Sequence, residues 1–492
     1  MFSWLSIARP ADIDGLISEL TLADFGLNEV VEWLKVHLSE NVAGLLIEYP
    51  YVDKDYRSTY YHYYAKKGGV YSPHSARLHF FRTGVEWKEA PQSLVLNGVD
   101  EPITDDVLNR HYLGFIVLRS TRINTIGRTM LSPHAMKGAT GLLIEHRHKA
   151  HVLGYRLHVS CFPFMQQHTD IAVCAHAACW AILRHYSERY SLYREVLVHD
   201  ISKLGREFDP GGLLPSMGIT YRDAERIFAA VGNFPLLVVR GDTEDDNCRF
   251  HDELLAYLES GFPLFGVQSA RGHAVAIVGY RRDEMIAQTT DKDFHGRAWD
   301  YVTHLAVVDD NHAPYHAVPR KSADDVDYTI DDFDAFIVPL PEKMFLPAAA
   351  AFRWASEARD DAVFEHFEHL SETKDLVTRC FVTTTASWQR FVREQASSLP
   401  PDFVDVSLSL TMPQFVWVVE YATPAQRSKK QIQARLLLDA TAGTRDPFPM
   451  FLLHDANGAL WLDRANKAPM QYQAFSITVG FIAEMESNLK RY

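Results

Sequence analysis

A thiol becomes a nucleophile when a base stands beside it and hydrogen-bond donors await the oxyanion it creates. The chain has five cysteines: Cys161, Cys174, Cys179, Cys248 and Cys380. Cys174 lies at the start of Val173–Tyr186, a run rich in Ala, Leu and Trp without Gly or Pro, which predicts a helix. A helix N-terminus favours thiolate through its partial positive charge and offers free backbone N–H groups. Cys179 falls mid-helix beside Trp180, a position for packing. Gln166 and Gln167 precede Cys174 in a turn-rich loop, and either amide could donate to an oxyanion. The base needs a separate element. His273 opens an apolar strand after Gly272, running through Tyr280. A third group must orient that imidazole, and Asp309 and Asp310 end the next strand, Leu305–Val308. A one-residue shift exchanges strand faces, so the pattern leaves Asp309 and Asp310 open.

These pieces resemble the papain-like cysteine peptidases, in particular the bacterial branch that includes bacteriocin leader peptidases. The matching residues are Pro163–Gln167, Cys174–Trp180, Gly272–Tyr280 and Val308–Asn311, within roughly 140–340. The resemblance implies Cys174 as nucleophile, His273 as base and then acid, Asp309 as its orienting group, and Gln167 as oxyanion donor with the Cys174 backbone N–H. Asp310 and Gln166 are the alternatives. It also implies a helix packed on a twisted antiparallel sheet and a protein or peptide substrate, with a small protein modifier as one candidate. The family's glutamine usually lies six residues before the cysteine, where this chain has His168, so Gln167 needs one extra loop residue. Hydrolysis, acyl transfer to an amine or another toxin-like modification would use the same triad. A non-catalytic binding scaffold is the remaining alternative. The reaction needs no metal or organic cofactor.

The elements around these residues set the domain expectation. At 492 residues and 56.0 kDa the chain exceeds a single core. The pattern predicts an α+β fold in three parts: 1–135, a catalytic 136–341 and 342–492. Expected strands include Ala43–Tyr49, Thr59–Tyr64, Arg77–Phe81, Leu113–Arg119, 403–410, 415–421, Met450–His454 and 475–481. Helices are expected over 11–40, 221–231, 251–260, 348–369, 386–396 and 424–436, with a loop from Ile126 to Gly141. The acidic 321–334 stretch reads as a solvated loop and Gly211–Gly212 as a turn.

Charge and composition exclude several classes. Net charge is −14, which disfavours nucleic acid and anionic membrane surfaces as partners. Five cysteines without a C-x-x-C exclude a zinc ribbon and fit reduced thiols in a cytoplasmic setting. No basic n-region with a sustained apolar run opens the sequence. His146, His148 and His151 alternate with Arg147 and Lys149, whose charge opposes a dication, so a solvent-facing polar strand is expected. His366 and His369 fit an exposed helix face, and Arg427, Lys429 and Lys430 a solvated one.

Overall fold

The computed structural model describes the chain except for residues 1, 21–24, 69–70, 90–91, 97–102, 168–173, 206–218, 284–296, 323–325, 361–365, 374, 444–445, 447–448, 463–469 and 477–479. Gly211–Gly212, His168 and Asp324–Asp325 therefore lie outside the described residues, as does part of 475–481. The fold is α+β. Among the described residues three large antiparallel sheets are accompanied by three two-stranded ribbons.

The central sheet has the order Phe234–Val239, Ala335–Leu340, Leu264–Gln268, His273–Arg282, Val302–Val308, His316–Pro319. Its middle strand, His273–Arg282, is buried from Ala274 to Tyr280. That uninterrupted apolar run suits a strand covered on both faces. The chain enters it through Gly272 at φ +61°, where a side chain would strain the backbone. The tight turn pairs Gln268 directly with His273.

The helix Cys174–Arg189 packs on this strand and on the strand His146–Val152. It is buried from Ala175 through Tyr186, so it is a core helix covered on all sides. Ile182 and Leu183 leave water almost completely, each contributing roughly 1.5–3 kcal/mol. Its sixteen residues span about 24 Å.

A five-stranded N-terminal sheet is built from Phe2–Ser6, Gly44–Tyr51, Ser75–Phe81, Tyr112–Leu118 and Ile126–Leu131. Asp53 caps the helix Lys54–His62 by accepting from the Tyr56 N–H, and also meets Arg128 at 2.6 Å. Asp55 accepts from the Trp180 indole at 2.9 Å and from the Arg184 guanidinium at 2.8 and 3.1 Å. Arg184 also meets Glu195, which Lys54 reaches from the surface. A six-stranded C-terminal sheet runs from Val377–Thr384 to Gln471–Ala474. It is tied to the centre through Glu259, which holds Arg379 and Tyr280. Glu420 in turn binds Arg379 and Arg435. The last strand, Lys490–Arg491, returns to the central sheet by pairing with Leu142–Leu143, so the chain re-crosses the expected 341/342 boundary.

Several local expectations are corrected. Thr59–Tyr64 is not a strand: Thr59 and Tyr60 belong to the helix Lys54–His62. The Asp53 cap starts this helix, and Tyr56 and Tyr60, four residues apart, contact one another on its face. Part of the expected 126–141 loop is the strand Ile126–Leu131, which closes the N-terminal sheet. The expected strand 403–410 is the helix Pro401–Ser409, with Phe403 and Ser407 buried one turn apart. The 424–436 helix ends at Arg427, because Lys430 takes a φ of +54° and the chain turns into the strand Ala434–Asp439. His148 is buried, so the His146–His151 strand is not solvent-facing at that position.

Removing one partner of a buried pair leaves the other charge uncompensated. Asp55→Ala is expected to destabilise the protein by about 3–5 kcal/mol in denaturant unfolding. Lys54→Ala, at a half-exposed pair with Glu195, should cost under about 1 kcal/mol. Equal losses for the two would remove Asp55 from its structural role.

Candidate active site

The sheet register aligns the base and its orienting acid. Ala276 faces Val308 across the strand pair. Continuing that register puts Asp309 on the same sheet face as His273. The His273 Nε2 lies 3.0 Å from Asp309 Oδ2. Two further donors fix the carboxylate. The Tyr328 hydroxyl donates to Oδ2 at 2.7 Å, and the Asn311 backbone N–H donates to Oδ1 at 3.0 Å. Asp309 is itself almost completely buried. Its side chain therefore accepts three hydrogen bonds inside the protein.

Cys174, half-buried at the first residue of its helix, interacts with the same imidazole. With Nε2 engaged by Asp309, Nδ1 is the nitrogen open to the thiol. The structure thus brings Cys174, His273 and Asp309 together from three separate elements. Burial favours the neutral ring, but the Asp309 carboxylate and the Cys174 thiol outweigh it and raise the His273 pKa to about 10. Burial would also raise Asp309, yet its bond with His273 and the donors from Asn311 and Tyr328 hold it down to about 2. Burial pushes up the thiols of Cys161, Cys179, Cys248 and Cys380.

Asp310 does not bond to His273. It is buried, and among the described residues neither carboxylate oxygen finds a partner outside its own residue. Burial and the adjacent Asp309 charge push its carboxyl up to about 6. Asp309, Asp310 and His273 each offer a ligand atom within 4.8 Å of one another, the one such trio among the described residues. The His273 ring is already committed to Asp309 there, so a dication would have to break that bond.

The two glutamines are anchored differently. The Gln166 side-chain oxygen accepts from the Ile126 N–H at 3.2 Å, tying it to the strand Ile126–Leu131. Arg119, buried, donates to the backbone carbonyls of Ile126, Gln166 and Gln167 at 2.9, 3.2 and 3.2 Å, and also to that of Asn124. Among the described residues the Gln167 side-chain amide has no partner. The residues between Gln167 and Cys174 lie outside the described ones.

Three contributors escape sequence reasoning. Tyr328 sits in the acidic 321–334 stretch, where an aromatic among aspartates, one of two with Phe333, is the sole signal. His312 lies 4.0 Å from Asp309 Oδ2 and 3.1 Å from Asp327, and stacks on His316 with ring centres 4.0 Å apart. Gln268 is the cross-strand neighbour of His273 and is fully buried. The strand pair around Ala270–Gly272 is legible in the sequence, but not that Gln268 stands opposite His273.

No protein-family model, curated protein or solved structure matches this chain.

The His273–Asp309 pair carries a defined pH signature. The raised His273 contributes stability fully below pH 6.5, and that contribution is lost as pH climbs to about 10. The lowered Asp309 side of the same pair is lost as pH falls from 3.8 to about 2. In histidine-labelled NMR, Cys174→Ala should move the His273 midpoint downward, because one cation-favouring partner is gone. An unmoved midpoint would separate the thiol from the ring.

Proposed function

We propose that this chain is a cysteine hydrolase with a papain-like central domain that cleaves a peptide or isopeptide bond in a protein substrate. The observation that carries this reading is the continuous line Asp309–His273–Cys174, with the cysteine at a helix N-terminus. A helix packed on an antiparallel sheet that bears the histidine, with the aspartate just beyond the next strand, supports the papain-like assignment.

The chemistry follows from the proton positions. At neutral pH the imidazolium of His273 is favoured, and in this reading the attacking species is the Cys174 thiolate paired with it. The sulfur attacks the substrate carbonyl carbon, and the carbonyl π electrons move to oxygen. The Cys174 backbone N–H and the Gln167 amide are the donors assigned to that oxyanion. His273 gives its proton to the leaving amine as the C–N bond breaks, leaving a thioester. Water then attacks the thioester, passing a proton to His273, and the C–S bond breaks to release the acid. Asp309 keeps the ring oriented and balances its charge. A cytoplasmic setting belongs to the same proposal, since all five thiols are free and no helix among the described residues is long and apolar enough to cross a membrane.

The test is a proteome-scale cleavage profile of wild type against Cys174→Ala, paired with labelling by a thiol-directed covalent probe. Cys174→Ala should abolish cleavage and labelling, Cys179→Ala should leave both, and Asp309→Ala should lower kcat by about 10²-fold or more. Cleavage or labelling that survives Cys174→Ala overturns the assignment.

A further inference from the structure

A second site lies at the far ends of the elements that bear Cys174 and His273. The helix that begins at Cys174 ends at Arg189, and the strand that begins at His273 ends at Arg282. Both arginines line one cavity of about 410 Å³, whose other wall comes from the C-terminal part and the final strand. There Arg390, Lys430, Lys490 and Arg491 add four more cations, all exposed. Arg379 also reaches the cavity, but Glu259 and Glu420 already balance it. The carboxylates on the lining are Glu484 and Glu486. Glu484 lies 3.2 Å from Arg379 and 3.9 Å from Arg282.

The charge balance is unusual for this chain. The protein carries −14 overall, yet six cations besides Arg379 converge on a recess with two acids. Like charges held together repel, and concave low-dielectric walls concentrate the resulting field. Lys430 holds a left-handed backbone conformation at φ +54° while contributing to the lining. Four of the six cations are arginines, whose planar forks match phosphate oxygens two at a time. One phosphate brings close to two negative charges. The volume falls within the range of small-molecule pockets and suits a compact ligand better than a polymer.

We propose that this cavity binds a small soluble molecule carrying several phosphates. Such a ligand would join the C-terminal ends of the Cys174 helix and the His273 strand to the C-terminal sheet. The proposal does not depend on the thiol chemistry, so its test does not use catalysis.

The probe is inorganic tripolyphosphate, titrated calorimetrically into the full chain at fixed salt. One saturable site per chain is expected, weakening as salt rises. Arg390→Ser with Lys430→Ser should weaken binding at least tenfold, while Arg147→Ser with Lys149→Ser, exposed on the strand His146–Val152 and not part of the cavity lining, should leave it unchanged. Should the first double variant melt early, Arg390→Glu alone carries the same expectation from an exposed helix position. Equal affinity in the pocket variants, or equal loss in the control, overturns the site. Binding to phosphoinositide vesicles without binding to tripolyphosphate overturns the soluble ligand.

Discussion

The buried guanidinium of Arg184 is the constraint around which the molecule is arranged. It sits on the core helix with no exposure to water, so it requires a carboxylate of fixed position. Asp55 supplies one from the N-terminal part, and binds the Trp180 indole one helical turn earlier with the same carboxylate. Two contacts one turn apart hold the helix in rotation as well as in translation. Cys174 is on that helix, so its direction toward the central sheet is set by a charge pair many residues away in sequence. The N-terminal part thus helps to build the candidate site without contributing a side chain to the Cys174–His273–Asp309 line.

The same logic of environment separates the two neighbouring aspartates. Asp309 accepts from His273, Tyr328 and a backbone N–H, and these interactions outweigh its desolvation. Asp310, buried beside it without such donors among the described residues, is pushed the other way. Adjacent residues of identical type therefore sit about four pKa units apart, at about 2 and about 6. In the proposed chemistry only the lower one suits a permanent counter-charge for an imidazolium. On the far side of the helix and strand, cations gather where the acids are few, at the cavity shared with the C-terminal part. The two ends of the same pair of elements thus carry opposite electrostatic problems. One end uses a buried carboxylate to hold a cation, and the other collects cations around space for an anion.

Part of this was legible in the chain itself. The helix from Cys174, the strand from His273 and the strand leading to Asp309 follow from composition and period, because apolar runs bounded by glycine or polar turns have few alternatives. The order of thiol, imidazole and carboxylate follows from residue types alone. Local signals failed where tertiary packing overrode them. At Thr59–Tyr64, β-prone tyrosines and threonine belong to or flank a helix that Asp53 caps. In 403–410, alternating Val and Leu wind so that Phe403 and Ser407 face inward.

What only the folded molecule decided are the relations between distant residues. Tyr328 on Asp309, Arg119 on the carbonyls of Gln166 and Gln167, and Asp55 on Arg184 link elements that pattern cannot align. The choice of Asp309 over Asp310 as the bond to His273 belongs with them, because it turns on strand register. Sequence period is a property of neighbours a few residues apart. A carboxylate's partner is chosen by desolvation and by hydrogen-bond geometry, and both exist only once the sheets and the core helix have closed around it.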